Sequence, residues 1–249
     1  SMTEIENFKA YPISIQAVDA AGNTGAMTTT SGMAAPDPRF SSAQDLDSVI
    51  PNVIHGTFRM QSQNNPFLLN SLTTIATDGI LMIGPGVDIK VSPNARISVL
   101  GEIHSFGNQD QPVRALSSSG QNFQQFLILQ SNQAISLDGL RVENANIPIQ
   151  ILAGNPTISG ASLHGSFNAI TISGSARPLI KDSLISGSSA SGVIVSGQAQ
   201  PSFQGNKFKQ NEPFHLQNGS NYEIDIRGNQ FSPEASTATV LGQFIYGEQ

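Results

Sequence analysis

The chain has 249 residues, of which 12% are charged, and its formal net charge of −6 comes from scattered residues without an acidic or basic block. Nucleic-acid binding needs clustered Lys and Arg to displace counterions, so we expect no nucleic-acid partner. The chain has no cysteine, which excludes disulfides, thiolate catalysis and cysteine-based zinc sites. A hydrophobic content of 38% suits a thin, elongated core better than a wide globular one.

The sequence carries no targeting or membrane signal that can be recognised. No apolar run approaches the roughly 20 residues of a membrane span, and no signal peptide opens the chain. Ser1-Met2 looks like a cloning remnant. We therefore expect a piece of a longer multi-domain protein whose targeting signal lies elsewhere.

The first predicted element is a half-buried strand over residues 11–18, where Ile13, Ile15 and Ala17 share one face. Asp19 to Asn23 follow as a turn. This stretch of about 20 residues resembles the last strand pair of a bacterial immunoglobulin-like or fibronectin-III-like repeat. Such a domain needs roughly 90 to 100 residues, so only its tail is expected here. Asp19 with Asn23 would ligate Ca²⁺ in an intact repeat or form a plain turn.

A linker is predicted over residues 28–40, which are rich in Thr, Ser, Gly and Pro. The predicted domain boundary lies near Ala35 and divides residues 1–35 from residues 36–249. A short helix is expected from Ser42 to Leu46, with Ser41 or Ser42 as its N-cap and Pro51 beyond its end. This helix would cap the first coil of the second domain.

Short β-rich runs begin at Phe67, over residues 80–83, 87–91 and 97–103, and each ends in Gly, Pro or Asn. Runs of this length also suit a β-sandwich. A downstream repeat favours a solenoid instead. Its six-residue phrase opens and closes on an apolar residue and has Gly or Asp third. The copies begin at Leu137, Ile158, Ile180, Phe203 and Ile226, with spacings of 158−137 = 21, 180−158 = 22, 203−180 = 23 and 226−203 = 23.

The period assigns each position of the phrase to a column of stacked residues. The first column should be core, and so should the last, which reads Val142, Leu163, Ile185, Phe208 and Phe231. The third column reads Gly139, Gly160, Asp182, Gly205 and Gly228, which predicts a turn with positive φ. Asn206 and Asn229 predict an amide ladder. A second strand column is expected over residues 147–151, 169–172, 192–195 and 214–216, and a last strand or cap over residues 240–246.

Two phrases carry a resemblance to a known family. They are Leu81-x-Ile83-x-Pro85-Gly86-x-x-Ile89 and Ile97-x-Val99-x-Gly101-x-Ile103, followed by Gly107. With the repeat, they resemble the right-handed parallel β-helix domains of the pectate-lyase-like superfamily from Phe67 to Phe231. The resemblance implies an all-β right-handed solenoid with coils of 21 to 23 residues. It implies no single activity, because the superfamily holds lyases, hydrolases, isomerases, tailspikes, adhesins and inert surface modules.

The hydrolase motifs N-T-D, D-D, G-H-G and R-I-K are absent. Asp138, Asp182 and Asp225 are predicted on separate coils, so they form no evident Ca²⁺ cluster or carboxylate pair. The histidines share no metal-like spacing. We therefore expect no metal or cofactor.

Two groups of polar residues are the candidate sites. One is the column after the phrase, which places Glu143 and His164 on adjacent coils as an acid and base, with Arg141 nearby; the alternative is solvated surface. The other is Lys181 with Asp182, near Arg177, for which a local salt bridge or a turn contact is the alternative.

The sequence therefore predicts a non-catalytic β-helix module of a secreted, periplasmic or cell-surface bacterial protein. It would act as a stalk, an adhesive surface or a weak glycan-binding face, with polysaccharide or other envelope components as partners. The alternative is a polysaccharide lyase or glycoside hydrolase that uses these two groups of residues.

Overall fold

The computed structural model describes residues 10–33 and 37–245. It divides the chain into two compact units, Ser1–Ser42 and Ala43–Gln249. No helix in the described ranges is long and apolar enough to cross a membrane.

The N-terminal unit contains an antiparallel strand pair. Strand β1 (Ala10–Ile15) pairs with β2 (Thr28–Met33), so the first half of the predicted linker is in fact a strand. The predicted turn is present, because the Asp19 carboxylate accepts hydrogen bonds from the backbone N–H groups of Ala21 and Asn23. The unit ends in the one-turn helix α1 (Arg39–Ser42).

The second unit consists of short strands, with a 3₁₀ helix at Ser62–Asn64. In chain order the strands are β3 (Gln44–Asp45), β4 (Val53–Met60), β5 (Phe67–Leu69), β6 (Leu72–Ile83), β7 (Asp88–Val91), β8 (Arg96–Val99), β9 (Glu102–Phe106), β10 (Val113–Ser117), β11 (Phe123–Leu129), β12 (Ile135–Asp138), β13 (Leu140–Glu143), β14 (Ala145–Ile151), β15 (Thr157–Ser159), β16 (Ser162–His164), β17 (Asn168–Ile172), β18 (Leu179–Lys181), β19 (Leu184–Ser186), β20 (Ser191–Gly197), β21 (Ser202–Gln204), β22 (Lys207–Lys209), β23 (Phe214–Ser220), β24 (Ile224–Asp225), β25 (Gln230–Ser232), β26 (Val240–Leu241) and β27 (Phe244–Ile245).

Most of these strands stack in parallel as three ladders, which form the three sides of each coil, while β24 and β27 form a separate parallel pair. Ladder 1 contains β5, β7, β10, β13, β16, β19, β22 and β25. Ladder 2 contains β8, β11, β14, β17, β20, β23 and β26, and ladder 3 contains β9, β12, β15, β18 and β21. The long strands β4 and β6 run through ladders 2 and 3 and join them. The unit is a right-handed parallel β-helix, as predicted.

The N-terminal end of the solenoid differs from the prediction. Residues 44–45, expected to be helical, form β3, which pairs in parallel with β4, whereas the helix α1 ends at Ser42. Parallel stacking therefore begins well before Phe67. Leu46 and Ile50 are 4% exposed and belong to the hydrophobic core, so apolar side chains fill the first coil.

The inward columns of the repeat are confirmed. The first column is at most 3% exposed throughout, and the last column is equally buried except for Phe231, which packs partly exposed against the core. The strand registers pair the members of the first column from Leu137 to Phe203 and all members of the last column, as in Ile158 with Ile180 and Leu163 with Ile185. A continuous apolar core therefore runs along the solenoid axis, and each coil buries the faces of its neighbours.

The turn between ladder 3 and ladder 1 has the predicted positive φ in every copy of the phrase, including 50° at Asp182. The next position of the phrase forms a hydrogen-bonded column. The N–H of Ala161 donates to Ser183 Oγ, the N–H of Ser183 to Asn206 Oδ1, and the N–H of Asn206 to Asn229 Oδ1. The predicted amide ladder is present and extends by one serine.

Candidate functional site

An open groove of about 750 Å³ follows the edge where ladder 3 turns into ladder 1. Its floor is the backbone of the glycine-rich turn column, which includes Gly139, Gly160 and Gly205. The glycines have no side chains, which leaves the space open; Asp182 is the one member of this column with a side chain. The walls carry the outward side chains of the flanking strands, among them Asp138, Arg141, Ser159, Ser162 and Lys207.

One wall of the groove is a loop that interrupts the repeat. Residues 107–112 connect β9 to β10, whereas a single residue, Gly139, connects β12 to β13. The loop folds on Asn108, whose side-chain oxygen accepts hydrogen bonds from the N–H groups of Asp110 and Gln111. The Gly107 N–H donates to the carbonyl of Asp138. The loop therefore projects from a single coil and forms the wall of the groove at that coil.

Asp138 is the groove residue with the clearest electrostatic perturbation. It faces outward on β12, next to Ser159 of the following coil. Burial raises the pKa of its carboxyl, and a hydrogen bond from Ser159 only partly opposes the shift. The nearby charge of Lys181 also favours the ionised form.

Lys181 and Asp182, one of the candidate pairs from the sequence, lie at the same groove. Lys181 is half-buried on β18 and interacts electrostatically with Asp138. Asp182 is exposed, lines the groove and occupies the turn column. Within the described ranges no ion pair joins Lys181, Asp182 or Arg177, so the local salt bridge, one of the two alternatives, does not form. The other alternative was a turn contact, and Asp182 does lie in the turn.

The other candidate group lies on the outer face of ladder 1. Glu143 pairs with His164 on adjacent coils, in the predicted register. The Glu143 carboxylate instead accepts a hydrogen bond from Arg141 Nε at 2.8 Å, and Nδ1 of His164 lies 3.0 Å from Oγ of Ser186 on the next coil. The expected contact between Glu143 and His164 is therefore replaced by a contact of Glu143 with Arg141 and a contact of His164 with Ser186.

A further group was not singled out from the sequence. His104, considered there only for metal spacing, lies between Glu102 on its own strand and Ser136 on the next coil, 3.0 Å from each. The only sequence signal is the spacing of Glu102 and His104, which puts both on one face of a strand. The sequence does not show that Ser136 is the partner of His104, because the coil between them departs from the length of the repeat.

The described residues contain no group of three or more His, Asp or Glu side chains that could hold a metal ion. The Asp19 carboxylate, considered for Ca²⁺, accepts hydrogen bonds from the side chain of Asn23 and from two backbone N–H groups. These bonds account for the lowered pKa of this exposed carboxyl and correspond to the plain turn.

The fold defines a β-helix protein, and an open groove follows one edge of its coil stack. Residues 125–243 match the family described as Right handed beta helix region. This match covers the regular coils and every residue that lines the groove except those of the loop at residues 107–112. Comparison with curated proteins and with solved structures finds no match to this chain.

Proposed function

We propose that this β-helix is a binding module whose groove holds an extended polysaccharide chain. The observation that carries the proposal is the groove itself, which is open, follows the coil stack and is lined by hydroxyl, amide and backbone groups together with apolar side chains such as Leu140 and Leu184. Two acidic and two basic side chains, Asp138, Asp182, Arg141 and Lys207, contribute no net charge to it. Such a lining suits a neutral glycan held by hydrogen bonds.

Weak affinity follows from the composition of the groove. Sugar rings commonly stack on aromatic side chains, but the chain has no Trp and only three Tyr, and none of these lines the groove. Hydrogen bonds that replace equally good bonds to water contribute little net affinity each. The module would therefore need several contacts along the groove, or several copies, to hold its ligand.

The context proposed for the module is a longer secreted, periplasmic or cell-surface bacterial protein. Support comes from the hydroxyl- and amide-rich surface with 12% charged residues and from the antiparallel pair β1–β2, which suits the end of an immunoglobulin-like repeat. The phrases around Pro85 and Gly101 support placing the β-helix in the pectate-lyase-like superfamily.

The binding proposal is tested by a glycan array followed by calorimetric titration of the retained neutral glycans. Lys207→Ala and Asp182→Asn should weaken binding at least about threefold, since each removes a charge-assisted hydrogen bond. Lys209→Ala is the matched control, because Lys209 is equally exposed on the same strand but outside the groove. Retention of no glycan, or equal affinities for all four proteins, would contradict the proposal.

A glycoside hydrolase is the second candidate, favoured by the raised pKa of Asp138 and by Asp182 in the same groove. Two coils separate these carboxyls, so they stand roughly 10 Å apart at the usual strand spacing of about 4.8 Å. Inverting hydrolases hold an acid and a base at a similar separation. Release of reducing ends from a bound glycan, lost in Asp138→Asn, would support this candidate; unsaturated uronate products would instead indicate a lyase.

A further inference from the structure

Three side chains on the outer face of ladder 3 form a hydrogen-bonded chain that ends at a serine hydroxyl. Nε2 of His104 lies 3.0 Å from Oε2 of Glu102, and Nδ1 of the same ring lies 3.0 Å from Oγ of Ser136. Strand pairing enforces this arrangement, because His104 and Ser136 are direct partners in the β9–β12 register. Glu102 lies two residues before His104, on the same face of β9.

The hydrogen-bond partners of His104 determine where its ring proton lies. A carboxylate can only accept, so Nε2 carries the proton and donates it to Glu102. The lone pair of Nδ1 is then free to accept the proton of the Ser136 hydroxyl. The ring is thus held in the tautomer and orientation that a general base requires.

The surroundings of this chain strengthen its hydrogen bonds. The His104 side chain is 8% exposed and that of Glu102 is 17% exposed, while the ring of Phe106 lies nearly parallel to that of His104, with centroids 6.5 Å apart. Low local polarity makes a charge-assisted hydrogen bond stronger than it is in water. Ser136 is partly exposed, so its oxygen can be reached from outside.

A second histidine–serine pair in the same protein provides a comparison. Nδ1 of His164 also lies 3.0 Å from a serine oxygen, that of Ser186. In the described residues, however, no carboxylate contacts the other nitrogen of His164, and its side chain is exposed. The two pairs share their geometry and differ in the carboxylate and in the burial of the histidine, which are the features that activate a serine. The serines differ in the opposite sense, because Ser186 is buried and Ser136 is partly exposed.

We propose that Ser136, His104 and Glu102 form a serine hydrolase site for carboxylic esters. Ser136 is the nucleophile, His104 the general base and Glu102 a positioning residue that holds the ring. Ser136 lies two residues before Asp138, which lines the groove, so the site opens beside the proposed binding surface. Ester hydrolysis goes beyond the proposed binding function and requires no bound glycan.

The reaction balances with water as the second reactant. The Ser136 oxygen bonds to the acyl carbon as its proton passes to Nδ1 of His104, and the bond from carbon to the alcohol oxygen then breaks as that proton passes to the departing alcohol. Water next gives a proton to Nδ1 and attacks the acyl carbon. The bond to Ser136 breaks, the serine oxygen regains the proton, and a carboxylic acid is released.

The first test uses the unmodified protein and a fluorophosphonate, which phosphonylates activated serines. Mass spectrometry should find the phosphonyl group on Ser136 and not on Ser186. Absence of labelling, or labelling confined to other residues, would overturn the proposal. This arm does not depend on whether a variant folds.

The second test measures hydrolysis of 4-nitrophenyl acetate. Ser136→Ala and His104→Gln should each lower kcat/KM by at least about 100-fold, while Ser186→Ala should leave it unchanged. Glu102→Gln should lower kcat by a similar factor with KM unchanged, because the amide lacks the charge that stabilises the imidazolium. Equal rates for the wild type and Ser136→Ala would overturn the site and leave the glycan-binding proposal untouched, since glycan titration measures that separately.

Discussion

His215 is a buried titratable side chain that links folding to pH. It is fully buried beside the stacked rings of Phe208 and Phe231. Its Nε2 donates to the carbonyl of Pro233 at 2.8 Å, and its Nδ1 faces the amide nitrogen of Asn211 at 3.3 Å. Both contacts fit the neutral ring. Burial lowers the pKa of His215 below its ordinary value of 6.5.

This lowered pKa predicts that stability falls as the pH decreases below about 6.5. Between the lowered pKa of the folded state and about 6.5, the unfolded chain binds a proton that the folded chain excludes. The free energy of unfolding therefore rises with pH across this range, and the contribution of His215 to stability is complete above about 6.5. Urea unfolding followed by circular dichroism at several pH values should show this slope, and His215→Gln should flatten it. The exposed His55→Gln is the control and should retain the slope; a slope that persists in His215→Gln would contradict the assignment.

Gly139 combines a left-handed conformation with close backbone contact. Its φ is 59°, and a Cβ added there would lie 2.2 Å from the carbonyl carbon of Gly107. Gly228 occupies the equivalent turn with φ of 75° and has no atom within 4 Å of such a Cβ. The two glycines therefore separate the cost of conformation from the cost of the clash.

Gly228→Ala should destabilise the protein by about 1 kcal/mol, the cost of a left-handed alanine. Gly139→Ala should cost more than about 3 kcal/mol, since neither backbone can move without disturbing the stack. Midpoints of urea unfolding would measure both. Equal effects would show that the contact between Gly139 and Gly107 has no energetic weight.

The asparagine column shows how single turns are joined into one element. Asn206 is fully buried. Its side-chain oxygen accepts from the N–H of Ser183, and its side-chain nitrogen donates to the carbonyl of Ile180. Tight turns expose such backbone groups inside the stack, and an amide side chain satisfies one donor and one acceptor together.

Asn206→Ala should lower the free energy of unfolding by about 2 to 4 kcal/mol, because it leaves two buried backbone groups unpaired. Gln204→Ala, an exposed change on the neighbouring strand, should alter it by less than about 0.5 kcal/mol. Differential scanning calorimetry would measure both variants. If Asn206→Ala lowered the free energy of unfolding as little as Gln204→Ala does, water would have to satisfy the backbone groups that the Asn206 amide satisfies in the native protein.

The whole solenoid is held together by contacts between neighbouring coils, so its stability is approximately a sum over coils. Ile158 and Ile180 are direct partners in the strand register. Removing residues 158–179, a segment of 179−158+1 = 22 residues, joins Thr157 to Ile180 and restores the same sequence of inward and outward positions. Only one coil is lost.

We expect this deletion to fold with an unchanged β-type circular dichroism spectrum per residue and a lower unfolding midpoint. Deleting only residues 158–168 should unfold the protein or cause it to aggregate. This deletion removes half a coil, so residues of ladder 2 would have to stack on strands of ladder 3. Size-exclusion chromatography with circular dichroism would distinguish these results. Equal behaviour of the two deletions would contradict the coil register.

The sequence by itself determined the regular half of the molecule. Because the phrase recurs at nearly equal spacing, equivalent residues of successive coils stack on each other. Counting residues therefore predicts the inward columns, the turn with positive φ at Asp182 and the pairing of Glu143 with His164. The fold class follows from the same period.

Only the tertiary structure decided where the site lies. The coils between Ile89 and Val142 contain 115−89 = 26 and 142−115 = 27 residues, so counting fails there, and the inserted loop that walls the groove cannot be placed in advance. The contact of Ser136 with His104 depends on how that insertion shifts the register. At the N-terminal end β3 and β4 have no clear alternation, and pairing with the next coil, rather than local preference, makes them strands.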